Sequence, residues 1–342
     1  MLARTRKVED HVELLCDRRR QMIGSIALFT VSLAVILGGS ELITRNIGPL
    51  ARALGVKELV VTILGVSVLS SLPELTVSVL AISRGAADIS VGNVIGSNFV
   101  TLTFVTAVCA LIRPIDIHKE VQSRESSWMI LSSALVLILS MDGRLSRSDG
   151  VILILMYLPY MFNVLKTARH GAPLAEDQFT GRGRTLLIAS GLTLAGIAAV
   201  VGGSKFALDS GTILGTAAGI PAVAMGVVIF AFGTSLPELA ISMSATFKRK
   251  ADVTIGEVYA SNIFTQLVIL GICCLIAPIP VSRAIVSFAM PFLVLAAVVI
   301  QLFVTSGSRI NRLEAVGLLA FYAVFAASQF MDLPGIEEIL GF

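Results

Sequence analysis

Long apolar runs separated by short polar connections occupy most of this 342-residue chain. A helix that crosses a bilayer needs about 20 mostly apolar residues. The runs are continuously apolar, whereas the strands of a membrane β-barrel alternate between apolar and polar residues. The pattern predicts an all-α integral membrane protein with about ten transmembrane helices, over 22–43, 59–82, 90–112, 126–141, 149–166, 185–206, 222–247, 253–277, 284–305 and 313–331.

A polar connection at 167–184 divides these predicted helices into two groups of five, and residues recur between the groups at a separation of 164 positions. Without a gap, 14 of the 32 positions at 70–101 are identical to those at 234–265. Because five is odd, the second group must enter the membrane in the opposite orientation. The sequence therefore predicts two inverted five-helix repeats, a layout that places the substrate site of a transporter at the repeat interface, near the bilayer midplane.

Charge on the connections predicts an orientation and a domain organisation. Fifteen of the 26 basic residues lie on the same side as the 167–184 loop, and the positive-inside rule makes that side cytoplasmic in an expected bacterial inner membrane. We expect a charged N-terminal tail at 1–21, a first half at 22–166, the cytoplasmic loop at 167–184 and a second half at 185–342. Six basic residues of the tail oppose this orientation, and a native start at Met22 would remove them.

The amino-acid composition excludes several classes of protein. The chain is 55% hydrophobic and 14% charged, about half of the roughly 25% that a soluble chain carries. These values exclude a soluble enzyme, a disordered protein and a disulfide-stapled secreted domain. The net charge of +3 is spread along the chain, so no nucleic-acid partner is expected, and no obligate protein partner is evident.

Two acidic residues, Glu74 and Glu238, lie near the middle of predicted spans, where an ionisable side chain is costly and marks a functional candidate. Each follows a proline, which cannot supply an amide hydrogen to the carbonyl four residues earlier. The carbonyls released in this way are those of Leu69 and Gly233. Hydroxyl oxygens on the same turns come from Ser70, Ser71, Thr234 and Ser235.

The next predicted span of each half adds a polar face, because residues four apart share one side of a helix. In the first half Ser97 and Thr101 lie on this face with Asn93, and in the second half Glu257 lies there with Ser261 and Thr265. The resulting donors are oxygens, which suit Ca²⁺, while the nitrogen and sulfur ligands that zinc or copper prefer are absent. We interpret these residues as cation ligands.

Two other classes of protein share single features with this chain. Ser97 follows a glycine as in a membrane serine protease, but a serine nucleophile needs a general base, and His11, His118 and His170 lie outside the predicted spans. Enzymatic chemistry is therefore not expected. A passive cation channel also has an oxygen-lined path, and the inverted repeat with midplane carboxylates favours a transporter over it.

The duplicated segments resemble the two alpha repeats of the cation/calcium exchanger superfamily, and in particular its sodium/calcium exchanger family, which includes bacterial sodium:calcium antiporters. The family pattern is Gly-Thr-Ser-Leu-Pro-Glu followed by Gly-Asn-x-x-Gly-Ser-Asn. Residues 233–238 match the first motif fully, and 69–74 read Leu-Ser-Ser-Leu-Pro-Glu. Residues 92–98 match the second motif fully, and 256–262 match it in part.

This resemblance implies a secondary antiporter that exchanges calcium for sodium by alternating access, with Glu74 and Glu238 as central ligands and no cofactor besides the transported ions. The hydroxyls of the motifs would supply neutral oxygens, the first and sixth spans would slide past a fixed core, and the lipid bilayer would surround the protein. Exchange of calcium or another divalent cation for protons is the alternative.

One departure from the family pattern concerns charge. The family has Asn or Asp four residues after each motif serine, with Asp in at least one half, but this chain has Thr101 and Thr265. Glu257 stands where the family has Asn. Our hypothesis is that the missing negative charge has moved along the helix face to Glu257. The alternative is that Glu257 faces a water-filled vestibule and binds nothing.

Overall fold

The computed structural model describes residues 2–54, 67–116, 119–168, 182–249, 251–283, 285–307 and 309–331, and these are mostly helical. In the first half the elements are α1 (Leu2–Leu54), α2 (Ser67–Ser70), α3 (Leu72–Ser83), α4 (Ala87–Phe99), a π-helix (Val100–Val105), α5 (Thr106–Ile112), β1 (Ile115–Asp116), α6 (Lys119–Ser140), β2 (Arg144–Leu145) and α7 (Arg147–Ala168).

With three π-helices among the described residues against one in the first half, the second half contains a similar series of elements. These are α8 (Arg182–Ala217), α9 (Ala222–Ala224), a π-helix (Met225–Phe230), α10 (Ala231–Thr234), α11 (Leu236–Phe247), α12 (Ala251–Phe264), a π-helix (Thr265–Ile269), α13 (Leu270–Ile276), β3 (Ile279–Pro280), a π-helix (Ile285–Ala289), α14 (Met290–Gly307), β4 (Arg309–Ile310) and α15 (Arg312–Ser328).

The separation of 164 residues that relates the two halves of the sequence also relates their elements. Helix α3 begins at Leu72 and α11 at Leu236, and β1 begins at Ile115 and β3 at Ile279. The short strands then pair across the halves in antiparallel fashion, β1 with β4 and β2 with β3. The all-α expectation did not include these two-residue strands, which join the ends of helices from different halves.

Six described helical segments are long and apolar enough to cross a membrane: Met22–Leu50, Ala87–Ile112, Arg147–Lys166, Gly183–Ala217, Thr254–Ile276 and Ile285–Thr305. Counting the bent pair Ala222–Thr234 and Leu236–Phe247 as one span makes seven. The apolar helices Leu72–Ser83 and Glu125–Ser140 are shorter, and the predicted span 59–82 falls partly outside the described residues. The count of ten therefore stays a prediction.

The structure describes the backbone at two predicted boundaries. The charged stretch at 2–21, predicted as a tail, is helical and continuous with the rest of α1. The sixth predicted span, 185–206, lies within the longer helix Arg182–Ala217, which continues through Gly211 and Gly215. Of the predicted loop 167–184 the structure describes only the two ends, which are helical, and 169–181 lie outside the described residues.

The two segments that carry Ser97 and Ser261 form the centre of the molecule. In both Ala87–Ile112 and Thr254–Ile276, 78% of the residues in the apolar 18-residue stretch are buried. The corresponding fractions are 22% for Met22–Leu50 and 28% for Gly183–Ala217. Helices α1 and α8 therefore lie at the periphery, where most of their surface faces outward. The buried hydrophobic residues around α4, α5, α12 and α13 form one large core.

Helices α1 and α8 pack closely against each other at Gly39, Gly196 and Gly203, which receive backbone atoms and aliphatic side chains of the opposite helix. A Cβ atom on Gly39 would lie 2.8 Å from the carbonyl oxygen of Gly196, and one on Gly203 would lie 2.9 Å from Ile36 Cγ1. Gly38 has no such neighbour within 4 Å. Small residues allow this kind of close approach between membrane helices, so α1 and α8 form a tightly packed pair beside the core.

Candidate functional site

Both Ser-Leu-Pro-Glu motifs interrupt a helix at the serine. Ser71 separates α2 from α3, with φ −83° and ψ 11°, and Ser235 separates α10 from α11, with φ −82° and ψ 5°. Each proline then stands in the first turn of the following helix, where its missing amide hydrogen costs no helical bond. Glu74 and Glu238 therefore lie in the first turns of α3 and α11, the end of a helix that favours negative charge.

The two carboxylates are bonded reciprocally across the halves. Ser71 Oγ donates to Glu238 Oε1 at 3.1 Å, and Ser235 Oγ donates to Glu74 Oε1 at 3.3 Å. The glutamates are 1% and 2% exposed, and the Oε2 atom of each has no hydrogen-bond partner. A buried carboxylate oxygen without a partner is costly, so the arrangement favours a positively charged ligand.

A cavity of about 10 Å³ lies between these carboxylates and the central helices. Such a volume corresponds to roughly one water-sized particle. Its walls contain both glutamates, two further pairs of equivalent residues (Ser97 with Ser261 and Thr101 with Thr265), and the single residues Ser71 and Asn262. The cavity is therefore lined almost entirely by oxygen-bearing side chains at the interface of the halves.

Asparagine amides join the two central helices beside this cavity. Asn98 Nδ2 donates to Thr265 Oγ1 at 2.8 Å, and Asn262 Nδ2 donates to Thr101 Oγ1 at 2.6 Å. The two threonines lie in the π-helical segments that follow α4 and α12. π-Helical turns are frequent at functional sites, and here they present the threonine hydroxyls to the opposite half.

A second layer of contacts surrounds the helix breaks. Thr234 Oγ1 donates to Asn93 Oδ1 at 3.3 Å, and at the equivalent place Ser70 Oγ donates to Glu257 Oε1 at 2.8 Å. Glu257 also accepts a hydrogen bond from Ser67 Oγ at 2.7 Å. Glu257 is buried but does not line the central cavity.

Close backbone packing holds the Met225–Phe230 π-helix against α4. A Cβ atom on Gly96 would lie 2.2 Å from the carbonyl oxygen of Val227, and one on Gly92 would lie 3.1 Å from that of Val223. Neither glycine could therefore carry a side chain without moving the Met225–Phe230 π-helix. This segment leads through α10 to the break at Ser235, so the two glycines allow α4 to approach closely the part of the chain that precedes the second break.

The donor set differs from that of a resident transition-metal centre. Among the described residues, no group of three or more His, Cys, Asp or Glu side chains is arranged to hold a metal ion. The cavity instead offers two carboxylates together with hydroxyl and amide oxygens. Oxygen ligands of this kind suit hard cations.

Comparison with known proteins identifies the family. The family described as sodium/calcium exchanger protein matches residues 24–166 and 188–331, one segment in each half of the chain. The chain belongs to the sodium/calcium exchanger family. Family membership makes this exchanger a multi-pass integral membrane protein and a cation antiporter, from a family that transports Ca²⁺ and Na⁺.

Individual relatives of this exchanger cover most of its length. It is 31% identical to "Inner membrane protein YrbG" of Escherichia coli (strain K12) over 264 residues, 75% of this chain and 81% of YrbG. It is 26% identical to "Sodium/calcium exchanger MaX1" of Methanosarcina acetivorans, over 87% of this chain and 96% of MaX1. The solved structure of the sodium-calcium exchanger NCX_Mj soaked with 10 mM Na⁺ and zero Ca²⁺ has a TM-score of 0.68 at 27% identity, covering 90% of this chain and 99% of NCX_Mj.

The residues predicted as ligands occupy three places in this exchanger. The cavity is lined by Glu74, Glu238, Ser71 and four hydroxyl residues of the central helices. Ser235 does not line the cavity, but its hydroxyl donates a hydrogen bond to Glu74. Ser70, Thr234 and Glu257 lie in the surrounding layer. Leu69 and Gly233 precede the breaks and contact the peripheral helices. Leu69 packs against Ile43 of α1 and Val200 of α8. Gly233 lies beside Leu33 of α1.

Sequence reasoning missed several residues that complete these contacts. Asn98 and Asn262 follow the motif serines and recur at the same separation as the glutamates, so the repeat itself carried a signal for them. Ser67, which contacts Glu257, and Gln266, which donates to Asn98 Oδ1 at 2.9 Å, have no such signal. The equivalents of Ser67 and Gln266 in the other half are Ala231 and Leu102, so the repeat gave no indication of either.

Proposed function

We propose that this exchanger moves calcium against sodium by alternating access, with the ions bound between the halves near the bilayer midplane. One observation carries the proposal: Glu74 and Glu238, from equivalent helix breaks, line one cavity and each keeps a buried oxygen without a partner. When both carboxylates are ionised, one Ca²⁺ balances their charge, and in the return step two or more Na⁺ do the same.

The neutral oxygens around the cavity suit both ions. Calcium takes six to eight oxygen ligands in flexible geometry, and the proposed ligand set offers carboxylates, hydroxyls and the carbonyls of the broken helices. Its members are Glu74, Glu238, Ser70, Ser71, Thr234, Ser235, Ser97, Ser261, Thr101, Thr265 and Glu257, with the carbonyls of Leu69 and Gly233.

Alternating access follows from an inverted repeat. We propose ten spans arranged as two inverted halves, 22–166 and 185–342, with the 167–184 loop in the cytoplasm. The glycine-mediated contact between α1 and α8 supports a common movement of this pair, because Gly39, Gly196 and Gly203 let the two helices pack closely enough to move as one unit. Movement of the pair past the central helices would open the cavity to one side of the membrane at a time.

Proton coupling is the second candidate for the return step. It is favoured by the threonines at 101 and 265, which occupy positions where the family carries Asn or Asp and so remove an expected sodium ligand. Under this alternative the glutamates would carry protons instead of sodium after calcium release. Another divalent cation that prefers oxygen ligands, such as manganese, fits the same cavity.

Proteoliposomes containing the purified exchanger separate these possibilities. One set is loaded with sodium, a second carries only a pH gradient, and a third has no gradient, and uptake of radioactive calcium is followed in each. The proposal predicts uptake that requires internal sodium. Uptake driven by the pH gradient alone would establish the proton-coupled alternative, and equal uptake in all three sets would indicate a passive channel.

A further inference from the structure

Three residues that line the central cavity carry a buried side-chain oxygen for which the described part of the chain offers no hydrogen-bond partner. Two of these oxygens are the Oε2 atoms of Glu74 and Glu238. The third is Oδ1 of Asn262, whose side chain is 1% exposed. A buried amide oxygen without a partner is costly, as a carboxylate oxygen is. Asn262 therefore shares with the two glutamates the feature that favours a bound cation.

The hydrogen bonds of Asn262 identify which end of its amide is the oxygen. Nδ2 donates to the carbonyl oxygen of Val258 and to Thr101 Oγ1, both at 2.6 Å. A carbonyl oxygen accepts hydrogen bonds and cannot donate one, so the amide atom beside Val258 must be the nitrogen. Oδ1 is then the atom of Asn262 that these contacts leave for an ion in the cavity.

The equivalent residue of the first half, Asn98, uses its oxygen elsewhere. Its Nδ2 likewise donates to a carbonyl of its own helix, that of Val94, at 2.6 Å. Its Oδ1, however, accepts from Gln266 Nε2 at 2.9 Å and from Thr265 Oγ1 at 3.1 Å. Neither Asn98 nor Gln266 lines the cavity. The halves differ here because the position equivalent to Gln266 is Leu102, which has no donor.

We propose that the amide oxygen of Asn262 is a third ligand of the calcium ion in the cavity, and that Gln266 confines this role to the second half by occupying the oxygen of Asn98. This inference rests on the proposed calcium exchange and deepens it. Amide oxygens are among the ligands that Ca²⁺ takes in proteins. Because the amide is neutral, it adds a ligand without adding to the two negative charges that one Ca²⁺ balances.

Equilibrium binding of radioactive calcium to the purified exchanger tests this ligand. Asn262→Ala should lower calcium affinity about tenfold, since loss of even an outer-shell partner typically costs that much in metal affinity. Asn98→Ala is the matched control, because it also breaks an amide–threonine bond but removes no oxygen from the cavity. Its calcium affinity should stay close to that of the wild type. Asn98→Ala also deprives Gln266 of its acceptor, so a merely structural effect would be the larger one in this control.

Asn262→Asp separates the oxygen of this side chain from its nitrogen. The carboxylate keeps an oxygen for calcium and loses the hydrogen bond to Thr101. We expect calcium affinity at least as high as that of the wild type, because the retained ligand now carries a negative charge. A residue that only positioned Thr101 would lose affinity in Asn262→Asp as it does in Asn262→Ala.

Substitutions at the equivalent positions 102 and 266 test the asymmetry while both asparagines remain. Leu102→Gln gives the first half the residue that the second half has, so the new amide should donate to Asn262 Oδ1 and lower calcium affinity. Gln266→Leu copies Leu102 and should not lower it. This pair decides the question if Asn262→Ala does not elute as a single folded species in size-exclusion chromatography.

Results that overturn the Asn262 ligand differ from those that overturn the proposed function. Equal calcium affinities of Asn262→Ala and Asn98→Ala would overturn the ligand while the wild type still binds calcium. A loss in Asn262→Asp as large as that in Asn262→Ala would overturn it as well, and so would equal affinities of Leu102→Gln and Gln266→Leu. Wild-type protein that binds no calcium would contradict the proposed function itself, and the ligand with it.

Discussion

The central helices of the two halves, α4 and α12, carry the same cavity-lining groups but pack differently against their neighbours. Helix α4 carries Gly96 against the backbone of the Met225–Phe230 π-helix, while the equivalent position in α12 is Ala260. The same two helices carry Asn93 and Glu257 at equivalent positions. The comparison shows that the repeat preserves the groups that contact the cavity, while the positions around them differ in size and charge between the halves.

Adding a methyl group to Gly96 should produce the largest effect on stability. The new Cβ would lie 2.2 Å from Val227 O and 2.6 Å from Val227 Cα, and these are backbone atoms, which no side-chain rotation can move away. Overpacking in a core costs about 1–3 kcal/mol and occasionally more, and we expect Gly96→Ala to reach the upper end. Thermal unfolding in detergent measures the loss.

The reverse substitution in the other half, Ala260→Gly, is the control for that experiment. It removes a methyl group and costs about 1 kcal/mol through helix propensity. An equal loss of stability in both variants would mean that the two halves pack alike and that the close contact at Gly96 is not a feature of this exchanger.

Removing one amide from each half should have an intermediate and unequal effect. Asn98→Ala breaks the bond to Thr265 and also leaves Gln266 without its acceptor, whereas Asn262→Ala breaks the bond to Thr101. An orphaned buried group costs about 1–3 kcal/mol, so Asn98→Ala should be the more destabilising change. Denaturation midpoints of the two variants give the comparison, and a larger effect of Asn262→Ala would contradict it.

The smallest effect is expected at the edge of the molecule. Arg84, which caps the end of α3, forms an ion pair with Asp209 of α8, whereas the equivalent positions in the other half are Lys248 and Arg45, both basic. The pair is about two-fifths exposed, and exposed ion pairs contribute about 0–1 kcal/mol. Arg84→Ala should therefore lower the thermal midpoint slightly at low salt and not at high salt.

Lys248→Ala is the matched control for the ion pair, since Lys248 is the equivalent cap of α11. It should not reduce the midpoint at either salt concentration. A salt-independent loss in Arg84→Ala would show that the arginine acts through packing of its aliphatic part instead of its charge.

Much of the candidate site could be predicted because the same polar residues occur in both halves of the sequence. Glu74 and Glu238 are identifiable from their position in apolar spans, and the constant separation of 164 residues relates each proposed ligand to its equivalent. The repeat does not state which residues of the two halves meet. Ser71 contacts Glu238 and not Glu74, and this reciprocal bonding depends on how the broken helices cross in the folded protein.

Other parts of the structure lacked a local signal. The paired strands contain two residues each, too few to produce an alternating pattern. Ser67 is recognisable as a partner of Glu257 only once α2 lies beside α12, since the two residues are 190 positions apart. The prolines predicted free carbonyls before each glutamate, whereas the positions of the helix breaks, at Ser71 and Ser235, depend on the turn that each half adopts there.

Equilibrium binding of radioactive calcium to purified protein tests the central claim most directly. Wild-type exchanger is compared with Glu74→Gln and Glu238→Gln, which keep the shape of each side chain and remove one charge. We predict that each variant loses at least about tenfold in calcium affinity, a change of about 1.4 kcal/mol, because each contributes one of the two cavity carboxylates. Calcium binding that is unchanged in either variant would contradict a site formed jointly by the two halves.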